Sequence, residues 1–465
     1  MTLIKSISGI RGTIGGKPGE GLTPIDIVKF TAAFCQLIKA NNGNPKVVIG
    51  RDARPSGEAL SQLVTQTLIM SGFDVVDLGL STTPTVEIAV PEENAGGGII
   101  LTASHNPVQW NALKLLDKNG EFISAAVGKE LLEIADSDDF TFAEVQTLGA
   151  YSATDKYIDI HIEKVLNLAL VDRDAIASRN FKVVVDAVNS TGGIAFPRLL
   201  KALGVTDVKE LYCEPNGDFP HNPEPLPEHL GEILQVVKTG SYDLGIVVDP
   251  DVDRLAMVCE NGEFFGEEYT LVAVSDFVLQ NQVGNTVSNL SSSQALRDVT
   301  HKHGGEFYAA AVGEVNVVSK MKEVNALIGG EGNGGVIYPE LHYGRDALVG
   351  IALFLTYMAK SGLTSSEIRS SYTDYTISKN KIELTPEIDV DMILKEVRKK
   401  FTANPVNTVD GVRIEFPDNS EWVHLRKSNT EPIIRIYAES STAEKADELA
   451  NMIISSIKEL VSLKV

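Results

Sequence analysis

Cysteine is nearly absent from this chain, with three in 465 residues. Cys35, Cys213 and Cys259 are far apart, odd in number and never spaced Cys-x-x-Cys. That excludes a disulfide framework and a thiolate zinc site, and fits reduced thiols in a cytoplasmic protein. Positive charge is also short, with 41 Lys and Arg against 63 Asp and Glu, a formal net charge of -22. Nucleic acid and anionic membranes repel such a chain, so neither is an expected partner. No apolar run approaches the ~18 residues of a membrane span, and Met1–Ser6 opens no signal-peptide pattern. The oligomeric state is left open.

What is present is ordinary globular material, 43% hydrophobic and 22% charged, enough for about three or four domains. One pattern recurs. A β-branched run ends in a polar or glycine-rich loop, and an amphipathic helix pattern follows. Lys46–Gly50 leads through Arg51–Gly57 to a helix over 58–70. Phe181–Asp186 leads through Asn189–Gly193 to a helix reaching Leu199. Thr286–Leu290 leads through Ser291–Ser293 to a helix reaching His303. This is the arithmetic of βαβ units with buried strands, repeated in three related α/β domains. The last 95 or so residues differ. Strand patterns at Tyr372–Leu384, Trp422–Arg426 and Ile433–Ala438 surround a helix at Asp389–Phe401, and an amphipathic helix covers Thr442–Leu463. Strands and helices that do not alternate predict an α+β domain.

Five segments carry candidate chemistry. Thr102-Ala103-Ser104-His105-Asn106-Pro107 follows the strand pattern Gly96–Leu101, so Ser104 lies just past a strand's C-terminal end, where open α/β sheets place ligands. Pro107 keeps Asn106 out of helix. His105 is adjacent, and in an extended chain it points away from Ser104; an ordinary loop serine is the alternative. Asp249-Pro250-Asp251-Val252-Asp253-Arg254 continues the strand pattern Leu244–Val248. In extended backbone its three carboxylates share one side, and a hard divalent ion such as Mg²⁺ relieves their repulsion. Arg254 stands where a calcium EF-hand needs glycine. Arg426-Lys427-Ser428-Asn429-Thr430 with Arg435 offers cations and donors for a phosphate, or a plain polar hairpin loop. Gly329–Gly335 lets backbone approach a ligand, with Glu331 and Asn333 placed for vicinal hydroxyls. Arg11 and Lys114 are either site or surface cations.

Together these segments resemble the α-D-phosphohexomutase family over nearly the whole chain and in the family's segment order. Thr102–Pro107 is similar to its phosphoserine loop and Asp249–Arg254 to its metal loop. Glu331–Gly335 falls where its sugar loop belongs, and Arg426–Thr430 where its phosphate-binding loop belongs. The resemblance implies three α/β domains with mixed sheets plus a C-terminal α+β domain around a central cleft, over 1–150, 151–258, 259–370 and 371–465. It implies a phosphorylated Ser104, and Mg²⁺ held by Asp249, Asp251, Asp253 and a phosphoserine oxygen. It implies a catalytic set of Ser104, His105, Lys114, Arg11 and Arg254, with Lys114 as the candidate base. Glu331 and Asn333 would hold sugar hydroxyls. Arg426, Ser428, Asn429, Thr430 and Arg435 would hold the phosphate that is not transferred. The substrate is a small phosphosugar, with a sugar bisphosphate as intermediate and activator. Gly335 stands where many members have histidine, and Ala112 where many have glycine. With Val312–Asn316 and Pro223–Leu226, these variants look like the phosphoglucosamine mutase branch in its archaeal-like form. A glucose/mannose phosphomutase is the second reading. An aspartyl-phosphate phosphatase using Asp249 leaves the serine loop unexplained. A non-catalytic sugar-phosphate binder needs neither three carboxylates nor a presented serine.

Overall fold

The computed structural model describes residues 2–6, 9–383, 389–417, 420–427 and 433–462. The chain forms two compact units, one of residues 1–281 with 333–369 and one of residues 282–332 with 370–465.

The first unit holds two sheets. The larger runs, in spatial order, through Leu3–Ser6, Gly9–Thr13, Trp110–Leu116, Gly97–Leu101, Lys46–Arg51, Asp74–Leu80 and Tyr151–Ala153. Its strands from Gly97–Leu101 to Tyr151–Ala153 are parallel, and the three before them are antiparallel. Gly97–Leu101 is buried along its whole length, as a strand covered on both faces must be. Helices Pro24–Ala40 and Gly57–Met70 cover one face with Phe30, Phe34, Leu60, Val64 and Leu68. Helix Thr83–Glu92 covers the other with Val86, Ala89 and Val90. The second sheet runs Leu255–Cys259, Leu244–Val248, Lys182–Asp186, Asp207–Leu211, with its first pair antiparallel.

In the second unit Phe307–Ala310, Thr286–Asn289 and Ile328–Glu331 pair in parallel. A fully antiparallel sheet runs Thr376–Glu383, Ile433–Ser440, Glu421–Lys427, Val412–Phe416, Val406–Asn407. Ile434, Ile436, Val423 and Leu425 on its inner face pack against helices Val390–Lys400 and Ala443–Ser462. The C-terminal elements fall on the expected segments, with ends that differ by no more than four residues.

Candidate active site

Ser104 emerges from the end of the buried strand Gly97–Leu101 with φ of 49°. Its Oγ donates to Asp249 Oδ2 at 2.7 Å, and its amide donates to Thr102 Oγ1 at 3.0 Å. The left-handed backbone changes what neighbours can reach. His105 Nδ1 lies 3.3 Å from Ser104 Oγ, so the extended-chain picture, in which the two point apart, does not hold here.

The loop is held from beneath by a residue that the sequence reading did not single out. Arg54 is 1% exposed. Its guanidinium donates to the carbonyls of Ser104 at 2.5 Å, Asn106 at 2.6 Å, Pro107 at 2.7 Å and Trp110 at 3.2 Å. Its Nε pairs with Asp52 Oδ2 at 3.0 Å, which also accepts from Thr102 Oγ1 at 2.6 Å. Burial pushes Asp52 up, with Arg54 and Thr102 pulling the other way. The available signal was positional: Asp52 and Arg54 follow the C-terminal end of strand Lys46–Arg51, the same kind of place that carries Ser104.

The acidic loop converges by a turn and not by extended alternation. Val252 N donates to Asp249 O at 3.1 Å, and Val252 has φ of 66°. A buried β-branched residue in that region is strained, and such strain collects at functional loops. Asp249, Asp251 and Asp253 are fully buried and offer ligand atoms within 4.8 Å of one another. Thr83 Oγ1 and Lys114 Nζ both donate to Asp251 Oδ2, at 2.6 and 2.7 Å. Lys114 also reaches Asp253 Oδ2 at 3.3 Å, which Arg345 contacts at 2.6 Å. Arg254 N donates to Asp249 Oδ1 at 3.2 Å. The other oxygens, Asp251 Oδ1 and Asp253 Oδ1, are buried without a hydrogen-bond partner. Buried carboxylate oxygens without hydrogen bonds, beside a buried serine, are the donor set a hard divalent ion takes, so these residues fit Mg²⁺.

The charges are strongly coupled. Burial, then Asp253 and Asp251, hold Asp249 well above the usual carboxylate range. Burial opposes charge on Asp253 too, but Arg345, Lys114 and Arg254 hold it well below. Burial likewise opposes charge on Lys114, yet Asp251 and Asp253 push it up to about 12. Lys114 therefore stands here as an ammonium, and as a base it must first give up both ion pairs. Burial, with Arg254 and Arg11, lowers His105 to about 2, leaving a neutral imidazole. Arg11 reaches Asn106 Oδ1 at 2.8 Å. Glu224 Oε1 lies 3.6 Å from Arg254 and 3.9 Å from His105.

In the second unit Glu331 is buried at a strand end, and its Oε1 accepts from Asn289 Nδ2 at 3.0 Å and Gly313 N at 3.1 Å. Arg426 and Arg435 are direct cross-strand partners, and Lys381 continues the row opposite Arg435. Three like charges side by side on one face repel, which an anion relieves. Lys381 was not singled out in the sequence. Arg426 Nε pairs with Asp410 Oδ2 at 3.0 Å, and that oxygen also accepts from Val312 N at 3.0 Å. Ser428, Asn429 and Thr430 lie outside the described residues. Asn333 belongs to the first unit, where its Oδ1 accepts from Gly335 N at 3.3 Å.

Comparison with known proteins agrees with this architecture. Phosphoglucomutase/phosphomannomutase alpha/beta/alpha domains I, II and III match residues 3–142, 156–262 and 266–375, and the C-terminal domain matches 383–456. The chain is 36% identical to a phosphoglucomutase/phosphomannomutase of Thermococcus kodakarensis, covering 96% of this chain and 98% of that protein. It is 32% identical to a probable phosphoglucosamine mutase of Methanopyrus kandleri, covering 98% and 97%. It is 31% identical to a phosphoglucosamine/phosphogalactosamine mutase of Sulfurisphaera tokodaii, covering 98% of each. Among solved structures, a phosphoglucomutase/phosphomannomutase family protein of Burkholderia thailandensis superposes with a TM-score of 0.83 at 26% identity, over 98% of each chain. Four consecutive domain matches and relatives aligned end to end place this chain in the α-D-phosphohexomutase family, among relatives named phosphoglucosamine mutase and phosphoglucomutase/phosphomannomutase.

Proposed function

We propose that the protein interconverts hexose 6-phosphate and 1-phosphate through a phosphorylated Ser104, with glucosamine phosphate as the substrate. The observation that carries this is Ser104 Oγ bonded at 2.7 Å to Asp249, in a buried carboxylate cluster with two oxygens that lack hydrogen bonds. On this reading the domains run 1–150, 151–258, 259–370 and 371–465, each bringing one loop. Asp249, Asp251 and Asp253 hold Mg²⁺, which supplies charge stabilisation for the transferring phosphoryl group.

The chain's own residues then position and neutralise, which is most of what phosphoryl transfer requires. Arg54 fixes the serine loop, and Arg254 and Arg11 face the reacting phosphate. In the forward step the P–O bond to Ser104 breaks as one forms to the sugar's free oxygen, and the proton of that hydroxyl passes to the freed Ser104 oxygen, with Lys114 as the candidate carrier. The resulting sugar bisphosphate activates the enzyme and turns over to return its other phosphate to Ser104. Glu331 and Asn333 bind sugar hydroxyls. Arg426, Ser428, Asn429, Thr430 and Arg435 hold the phosphate that stays.

A second reading, a glucose/mannose phosphomutase, is favoured by the name of the Thermococcus kodakarensis relative. A coupled assay with Mg²⁺ and a trace of sugar bisphosphate separates the two by ranking kcat/KM for glucosamine, glucose and mannose phosphates. Ser104→Ala is expected to abolish turnover and phosphoprotein. Phosphoprotein that survives Ser104→Ala but not Asp249→Asn would move the assignment to an aspartyl-phosphate phosphatase. Binding without turnover on any sugar would move it to a non-catalytic binder.

A further inference from the structure

Behind the aspartate loop lies a second polar cluster that the mutase chemistry does not use. His161 on helix Tyr157–Leu166 and Asp346 at the start of helix Ala347–Ser361 are fully buried, and His342 lies just before Asp346. His161 Nε2 is 2.8 Å and His342 Nε2 is 3.2 Å from the same oxygen, Asp346 Oδ2. We propose that His161, His342 and Asp346 form a second metal site, which takes Zn²⁺ and staples the elements that grip the aspartate loop.

Three observations support it. The donor atoms converge: all three lie within 4.8 Å of one another. A tetrahedral ion with bonds near 2.0–2.1 Å sets neighbouring ligand atoms about 3.3 Å apart. The His342 pair already stands near that value, and the His161 pair must open by a few tenths of an ångström. Second, each ligand has a polar group close to its far side. His161 Nδ1 lies 2.9 Å from Thr85 Oγ1, His342 Nδ1 lies 3.3 Å from Glu87 Oε2, and Asp346 Oδ1 accepts from Leu348 N at 2.8 Å. Partners of that kind fix the ring tautomer and orientation of zinc-bound histidines. Third, the charges favour a cation. Burial opposes a charged His342, yet Asp346 and Glu87 push it up to about 10. A divalent ion placed here faces two buried carboxylates, Asp346 and Glu87.

Two imidazoles and a carboxylate select a borderline transition ion over Mg²⁺, so the two sites differ in kind. His342 keeps 12% side-chain exposure, which gives an ion a way in. The consequence is structural. The helix bearing Thr85 and Glu87 begins at Thr83, whose amide donates to Asp251 O at 2.8 Å. Ala347 N, next to Asp346, donates to Val252 O at 3.2 Å. One ion thus ties together both helix starts that hold the aspartate loop.

Chelator-stripped full-length protein is titrated with Zn²⁺ under saturating Mg²⁺ by calorimetry, and with Co²⁺ by visible absorption. The proposal expects one Zn²⁺ per chain, a raised Tm and a tetrahedral Co²⁺ spectrum. Glu87→Gln is expected to weaken Zn²⁺ by roughly 10–100-fold as an outer partner, and His161→Gln and His342→Gln by more. Asp251→Asn is expected to leave Zn²⁺ uptake intact. If buried His161→Gln fails to fold, the partly exposed His342→Gln decides. No Zn²⁺ uptake, uptake unchanged in His342→Gln, or uptake lost only in Asp251→Asn overturns the site. None of these readouts depends on the mutase reaction.

Discussion

Arg54 shows how one side chain fixes a whole loop, the one that carries Ser104. It satisfies four carbonyls and one carboxylate from a fully buried position. Arg54→Ala leaves Asp52 buried without its cation, a loss of about 3–5 kcal/mol, which urea denaturation measures. Arg54→Lys keeps the charge but cannot span the same carbonyls, so kcat is expected to fall with the fold intact. In the second unit, Arg426→Ala is expected to raise KM roughly 10–100-fold, as loss of a charge-assisted hydrogen bond does. Exposed Lys381, which also pairs with Glu383 at 3.2 Å, is expected to matter less; steady-state kinetics on both variants compares them. Ser104 and the three aspartates were legible as candidates because a strand end and charge spacing mark them, whereas Lys114 stood only as either a site or a surface cation. Arg54, Thr83 and Arg345 were not legible, because each acts through contacts 50 or more residues away, which no local pattern encodes.

Whole elements carry the site as much as single side chains do. The strand Gly9–Thr13 bears Arg11 and pairs with Trp110–Leu116, which bears Lys114. At Gly9, φ is 124°, and an added Cβ would lie 2.2 Å from Leu113 O. Gly9→Ala is expected to cost at least about 1–3 kcal/mol from the backbone alone and to lower kcat by lifting that strand; thermal unfolding with activity checks both. The helix Ser365–Ser370 is fastened at its start by Glu260, which accepts from Ser365 Oγ at 2.7 Å and Ser366 N at 3.0 Å. Burial opposes its charge, but the hydrogen bonds from Ser366 and Ser365 win and lower Glu260 to about 2. A depressed carboxylate gives stability that is full above its unfolded value and lost as pH falls through the folded one. The stability difference between the protein and Glu260→Gln should therefore be constant above about pH 5 and shrink toward pH 2. A constant difference down to acid pH would refute that account.

At the scale of the molecule, a net charge of -22 repels a phosphosugar at long range. Added salt screens that repulsion beyond a Debye length, about 8–10 Å at 0.10–0.15 M, so kcat/KM is expected to rise as salt is added from low ionic strength. A flat profile would mean that encounter is governed by the local cations alone. The alternation of strands, loops and helices, the change to an α+β pattern in the C-terminal region and the positions of the candidate loops were all legible in the sequence itself. Period, turn residues and strand-end placement are local properties that survive without neighbours. The tertiary structure decided what those patterns leave open. It bent the aspartate loop at Val252 and turned Ser104 toward Asp249. It brought Lys114 and Arg345 onto the same carboxylate and gathered His161, His342 and Asp346 from separate segments. Those outcomes depend on which distant groups share a buried space, where a charge persists only with a partner beside it.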